Sequence, residues 1–285
     1  MDVNRICVIG AGTMGHGIAH VAAAAGFETR LFDIKQEFVD SGLAKIRANL
    51  DKGVEKGKVS PEDREAALAN LRGSADLAEA AANADLIIEA VPEKPELKHD
   101  VYSKLQAVVP QHCVFASNTS SLSIAKLAAA TDRADRFIGM HFFNPVHIMA
   151  LLEIVIADST SESTLQLAKA VGERMGKTNI VVKDFPGFAT SRLGVVLGLE
   201  AMRMVEQGVA SPADIDTAME LGYRHPMGPL RLTDLVGLDV RLGIAEYLHK
   251  ELESAAFAPP QILKDMVAGG KLGKKSGQGF YTWND

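Results

Sequence analysis

The sequence predicts an α/β protein: a doubly wound parallel sheet followed by an all-helical C-terminal domain. Three observations carry that expectation. Short apolar runs alternate with helical stretches from Arg5 to Lys183, each run short enough for a strand buried on both faces. The first run leads directly into glycines at 10, 12 and 15, which open a helix. Beyond Asp184-Phe-Pro-Gly187, a turn-forming junction, the strand pattern disappears. The expected domains are residues 1–184 and 185–285.

Composition fits that division. A chain of 285 residues is long enough for two cores. A net charge of −6, with no Lys/Arg block, speaks against nucleic acid or an anionic membrane as partner. No apolar run reaches the roughly 18 residues of a membrane span. No signal-peptide pattern precedes the first strand, and Cys7 and Cys113 fall inside apolar runs. The expectation is a reduced, cytoplasmic protein.

In chain order, Arg5-Ile-Cys-Val-Ile9 reads as a buried strand, and Gly10-Ala-Gly-Thr-Met-Gly15 as the turn into an Ala-rich helix. In this Rossmann-type pattern Gly10 permits the tight turn, Gly12 lets a pyrophosphate approach, and Gly15 lets helix and strand pack closely. The helix start, with Thr13 and Met14, then offers N–H groups and a dipole to phosphates. A second strand, Glu28-Thr-Arg-Leu-Phe32, ends at Asp33, about twenty residues on. A carboxylate there can accept both ribose hydroxyls of NAD and repels the 2′-phosphate of NADP, although Lys35 works against that selectivity. A strand-end or N-capping aspartate is the alternative.

From Gln36 to about Arg72 the pattern is helical, with lysines at 45, 52, 56 and 58 that by themselves read as a solvated face. A short third strand is expected near Leu71 to Ser74, and a fourth over Leu86-Ile-Ile-Glu-Ala-Val91. Pro92 and Pro95 break it before a helix from Glu96 to Val108. Cys113-Val-Phe-Ala116 is a further strand ending in Ser117-Asn-Thr-Ser-Ser121, a loop that is either turn chemistry or part of a site.

Ile138-Gly-Met-His-Phe-Phe-Asn-Pro-Val146 puts His141 at the end of another apolar run. Twelve positions on, Leu151-Leu-Glu-Ile-Val-Ile156 buries Glu153 in a second. Neither side chain is placed to be a solvated charge, so each needs a partner, and the other is the nearest in kind. Such a pair fixes the imidazole tautomer, as a proton-transferring group requires. The polar groups of this half, at Gly10–Gly15, Asp33, Ala90–Glu93, Ser117–Ser121 and His141–Asn144, all fall at carboxyl ends of strands, where doubly wound sheets bind ligands. The remainder, Phe188 onward, is helical, with Ser211-Pro-Ala-Asp214 as an N-cap.

Several blocks together resemble the short-chain L-3-hydroxyacyl-CoA dehydrogenases: Gly10 to Gly15, Ser117-Asn-Thr-Ser-Ser-Leu122, Gly139-Met-His-Phe-Phe-Asn-Pro145, Glu153-Ile-Val155, His225-Pro-Met-Gly-Pro229, Asp234-Leu-Val-Gly-Leu-Asp239 and Gly273-Lys-Lys-Ser-Gly277. The resemblance covers essentially the whole chain. It implies an NAD-dependent oxidation of a 3-hydroxyacyl-CoA such as 3-hydroxybutyryl-CoA, and the reverse reduction. His141 is implied as the base, Glu153 as the carboxylate that orients it, and Ser120 as the serine bonding the substrate oxygen. Glu93, Lys98, Asn144 and Lys275 are implied to line the nicotinamide and ribose end of the cofactor, with Ala90 and Asn118 beside them. Basic residues after Asp33, with Lys52 and Lys56 the candidates, are implied for the CoA nucleotide. The helical half resembles a domain that closes over the acyl chain and forms a homodimer.

One position departs. Where the family has Asn in Pro-Gly-Phe-x-x-Asn-Arg, this chain has Ser191 in Pro186-Gly-Phe-Ala-Thr-Ser191-Arg192. A hydroxyl is shorter and donates one hydrogen bond, so contact with the substrate is expected through a bridging water.

Overall fold

The computed structural model describes residues 2–283; positions 1, 284 and 285, the outer ends of the two expected domains, lie outside the described residues. The chain divides into two compact units, one ending at Phe185 and one beginning at Pro186.

The first unit holds β1 (Arg5–Ile9), β2 (Glu28–Phe32), β3 (Leu71–Ser74), β4 (Leu86–Glu89), β5 (Val114–Ser117), β6 (Phe137–Phe142), β7 (Leu151–Ile156) and β8 (Thr178–Lys183), in the sheet order β3-β2-β1-β4-β5-β6-β7-β8. From β3 to β6 every pair is parallel. The parallel rule expected throughout is broken at β7, which runs antiparallel to β6, with β8 parallel to β7. The cause is loop length: residues 143–150 alone join β6 to β7, too few for a crossover, so the chain must turn straight back. The order reverses between β1 and β4, which opens a crevice at their carboxyl ends.

Helices α1 (Thr13–Ala24), α2 (Gln36–Glu55), α3 (Pro61–Ala69), α4 (Leu77–Ala81), α5 (Pro95–Gln106), α6 (Ile124–Ala128) and α7 (Glu162–Arg174) flank the sheet strands in sequence. The helical stretch expected from 36 to 72 is two helices. Gly57 turns the chain at φ +63°, and Ser60 caps α3 by accepting from the Asp63 amide, with Pro61 in the first turn. One core runs under the sheet, with Val8, Leu31, Ile88, Ala116, Ile138 and Ile154 buried against α1 and α7 side chains such as Ile18 and Val171.

The second unit consists of α8 (Thr190–Glu206), α9 (Pro212–Thr217), α10 (Pro229–Val236), α11 (Leu238–Leu252) and α12 (Gln261–Ala268) around Val195, Leu199, Met202, Leu230, Leu248 and Leu263. Ser211 caps α9, with Pro212 in its first turn. Two buried aspartates organise the rest. Asp216 accepts from the Leu230 and Arg231 amides at the start of α10 (2.8 and 2.9 Å). Asp234 accepts from the Phe280 and Tyr281 amides and the Trp283 indole, all at 2.9 Å, which ties the C-terminal segment down. A Cβ at Gly273 or Gly279 would overlap Asp234, so the second unit's blocks at 234–239 and 273–277 are parts of one packing solution. Among the described residues no helix is long and apolar enough to cross a membrane.

Candidate active site

The glycines behave as their spacing requires. Gly10 has φ +99°, and a Cβ there would lie 2.9 Å from the Ala90 carbonyl oxygen. At Gly15 it would lie 1.6 Å from the Gly10 oxygen, whereas at Gly12 it would meet nothing within 4 Å. The turn is therefore closed behind α1 and open in front of its N-terminus. That opening belongs to a cleft of about 660 Å³ lined by Gly10, Gly12, Thr13, Met14, Asp33 and Ala90. From α2, Phe38, Ser41 and Lys45 also face it. Asp33 does part of what each reading asked. Its oxygens accept from the Ala11 and Ile34 amides, both at 2.7 Å, and the residue lines the cleft with acceptor capacity remaining. A glycine turn, an exposed helix start and a carboxylate at the end of β2 fit a dinucleotide.

Beside the cleft, Glu93 gathers the serine loop. Its Oε1 accepts from the Thr119 hydroxyl and from the amides of Ser120 (2.9 Å) and Ser121 (3.3 Å). Asn118 ties neighbouring strand ends: its amide donates to the Glu89 carbonyl (2.8 Å) and its Oδ1 accepts from the Phe142 amide (2.8 Å). Lys98, expected to line the cofactor site, has a side chain that is 1% exposed. Its ammonium is held by Glu89 at 2.7 and 2.9 Å, with Glu93 at 3.3 Å. The first turn of α5 points it inward to compensate a carboxylate inside β4.

That carboxylate, Glu89, is a buried acid the sequence reading missed. Besides Lys98 it accepts from the Val91 amide (2.7 Å), the Ser117 hydroxyl (2.6 Å) and the Tyr102 phenol (3.3 Å). Burial, then the neighbouring Glu89 charge, pushes the Tyr102 phenol well above its ordinary range, so it remains a donor. The signal was available: an acid inside an apolar strand run is what singled out Glu153, and Leu86-Ile-Ile-Glu-Ala-Val91 has the same form.

At the far side of the serine loop the antiparallel register sets His141 directly opposite Glu153. The imidazole Nδ1 lies 2.7 Å from Glu153 Oε2, with the residues 6% and 0% exposed. An ionised carboxylate only accepts, so Nδ1 carries the hydrogen and Nε2 is left as the basic nitrogen. The Phe143 ring packs on His141 at 4.5 Å between centroids. This is a base held in one tautomer at the carboxyl end of β6, on the same edge of the sheet as the glycine turn.

The other expected residues are distributed as follows. Asn144 is exposed on the turn after β6. Lys52 and Lys56 are exposed on α2 and at its C-terminus, and share a helical face with Phe38, Ser41 and Lys45 of the cleft. In the helical unit, Ser191 sits in the first turn of α8, and Lys275 donates to Asp239 at 2.7 Å.

Comparison with known proteins agrees with this geometry. Residues 5–185 match the family model described as 3-hydroxyacyl-CoA dehydrogenase, NAD binding domain, and residues 187–283 match that described as its C-terminal domain. A 3-hydroxybutyryl-CoA dehydrogenase of Bradyrhizobium diazoefficiens is 42% identical over 281 residues, covering 99% of this chain and 96% of its own. The mitochondrial hydroxyacyl-coenzyme A dehydrogenase of Sus scrofa is 41% identical over 99% of this chain and 91% of its own. The crystal structure of an (S)-3-hydroxybutyryl-CoA dehydrogenase from Ralstonia eutropha superposes with a TM-score of 0.96 at 40% identity, covering the whole of both chains. The chain belongs to the 3-hydroxyacyl-CoA dehydrogenase family, with NAD as its cofactor.

Proposed function

We propose that this protein oxidises the 3-hydroxyl of an (S)-3-hydroxyacyl-CoA, 3-hydroxybutyryl-CoA in the first instance, and catalyses the reverse reduction. The observation that carries this reading is the 2.7 Å contact between His141 Nδ1 and a fully buried Glu153, on the cofactor edge of the sheet. When bound, NAD supplies the hydride chemistry at C3. The chain has to handle one proton and one oxygen. His141 Nε2 takes the hydroxyl proton during oxidation and returns it during reduction, while Glu153 holds the ring and balances the imidazolium. Ser120 hydrogen-bonds the same oxygen, on a loop whose amide is fixed by Glu93. Glu93, Asn118 and Asn144 border the nicotinamide end, and Asp33 takes the adenosine ribose, favouring NAD over NADP.

Lys52 and Lys56 serve the CoA nucleotide. Their support is the shared α2 face, which carries positive charge from the rim of the dinucleotide cleft outward. In the helical unit, Lys275, beside Asp239, and Ser191, through a bridging water, are the residues that the family resemblance assigns to cofactor and substrate. Leu232, Leu235 and Val236 leave an apolar stripe exposed on α10, where we place a second copy in a homodimer. Cys7 and Cys113 are buried free thiols, in keeping with a cytoplasmic location.

The test is NADH oxidation with acetoacetyl-CoA, a longer 3-ketoacyl-CoA and free acetoacetate, repeated with NADPH. Turnover of the thioesters, inhibition by free CoA and a preference for NADH are expected; equal turnover of free acetoacetate would remove the CoA assignment. Replacing Ser191 by Asn is expected to raise kcat by up to about tenfold, within what one well-aimed donor contributes in a dry site. Unchanged turnover would mean that residue 191 does not polarise the substrate.

A further inference from the structure

We propose that Glu89 is a positioning residue that, through Lys98 and Glu93, sets both the place of the serine loop and the formal charge at the nicotinamide end of the cleft. The proposal rests on the reading above in which Glu93 borders the nicotinamide.

The chain of contacts is continuous. Glu89 is fully buried in β4 and receives Ser117, Tyr102 and the Val91 amide, so its carboxylate has no freedom to move. It fixes the Lys98 ammonium by two short contacts, and that ammonium reaches Glu93 Oε2 at 3.3 Å. Glu93 then holds the loop through three donors on its other oxygen, the Ser120 amide among them. The Glu89–Lys98 link and the links from Glu93 to the loop are charge-assisted hydrogen bonds, the kind with the narrowest geometry, and the Lys98–Glu93 link between them is an ion pair. Glu93 alone could not hold that position, because its side chain is 38% exposed. What immobilises it is a buried cation, itself placed by a more deeply buried anion.

Stability does not account for the arrangement. A buried ion pair contributes little that a well-packed apolar pair would not. Charge does offer a use. Two carboxylates against one ammonium leave one formal negative charge. Lys98 lies nearer to Glu89 than to Glu93, so the uncompensated share falls on Glu93, at the edge of the cleft. Oxidised nicotinamide is cationic and reduced nicotinamide is neutral. A residual negative charge therefore favours the oxidised form, and the size of that preference is set by Glu89.

The experiment measures the dissociation constants of NAD⁺ and NADH, kcat, KM and thermal stability for Glu89→Gln, Lys98→Met and the double variant, all on the full chain. Glu89→Gln leaves Lys98 to neutralise Glu93. The ratio of the NAD⁺ to the NADH dissociation constant is expected to rise by about three- to tenfold, the size of a unit charge acting over several ångströms at a protein-like dielectric. Lys98→Met adds a formal negative charge and should move the ratio the opposite way by a similar factor. The double variant regains the wild-type charge, so its ratio should return, while kcat stays depressed because nothing holds Glu93. A purely structural role predicts that both single variants shift the ratio in one direction, in step with lost stability, and that result would overturn the proposal. So would an unchanged ratio in all three. Should Lys98→Met not fold, Glu89→Gln against the double variant makes the same comparison. If the wild-type protein bound neither nucleotide, the cleft reading would fall first and the relay with it.

Discussion

Two carboxylates lie fully buried in the same sheet, Glu153 in β7 and Glu89 in β4, and their partners differ in kind. Glu153 faces an imidazole, a group that can be charged or neutral near pH 7. Glu89 faces an ammonium, with a phenol, a hydroxyl and an amide completing its shell. The first arrangement can pass a proton in and out of the pair. The second holds a charge in place, because every partner of Glu89 donates a hydrogen bond to it. Burial of an acid in a strand thus signals that a partner exists, and only the partner's chemistry says whether the site moves protons or fixes charge.

The contrast is broken or sharpened by mutation. His141→Gln removes the proton carrier and is expected to lower kcat by about 10²–10⁴-fold, with the NADH dissociation constant unchanged. Steady-state kinetics together with a binding titration check it, and an undiminished kcat would end the assignment. Lys98→Met should act on the other quantity. It leaves Glu89 buried beside no cation, with an expected loss of about 3–5 kcal/mol in denaturant unfolding. Adding Glu89→Gln in the same chain should restore most of that loss, since no buried charge is then unpaired. If Lys98→Met cost no stability while His141→Gln cost several kcal/mol, the division between the two ends would be reversed. Glu153→Gln lies between them. It keeps the shape and an acceptor for Nδ1–H but loses the charge that balances the imidazolium, so kcat should fall on the order of 10²-fold, less than for His141→Gln.

Most of the fold was legible because each element carries its own local signal. Gly10 needs a positive φ, Ser211 caps a helix with a proline behind it, and β1 and β4 each carry a run of buried apolar residues. The His141–Glu153 pair was legible for a related reason, since two polar groups in apolar runs had few other ways to be satisfied. The antiparallel turn between β6 and β7 was less so. Only the brevity of residues 143–150 announces it, and without it His141 and Glu153 would not face each other. The burial of Lys98 was not legible, because a lysine in the first turn of an amphipathic helix has no signature of it. It turns inward only because Glu89 is there, a long-range fact. Lys52 and Lys56 show the opposite limit: exposed lysines carry no local mark of whether they bind anything.

The smallest effect concerns what ties the β6 end to the rest of the sheet. After Pro145 the chain lies on α1, with Val146 in the hollow left by Gly17 and the His147 ring stacked on His20 at 5.3 Å. His20 is buried, and its Nδ1 has no hydrogen-bond partner. Burial first, then the charges of His147, His16 and Lys177, lower its pKa from 6.5 to about 4. The unfolded chain takes up this proton near 6.5 and the folded chain only near 4. Stability from this group is therefore complete above pH 6.5 and is lost as the pH falls toward 4, by at most about 3 kcal/mol. Urea unfolding of the wild-type protein and of His20→Gln at pH 7.5, 6 and 5 should show the wild type losing stability more steeply. Hydrogen exchange should show the amides of 146–149 opening at low pH before those of 89–93, because the Glu89 shell contains no histidine. Parallel curves for the two proteins would mean that His20 titrates as freely as in the unfolded chain. The imidazole stack would then contribute nothing to holding the segment that follows His141.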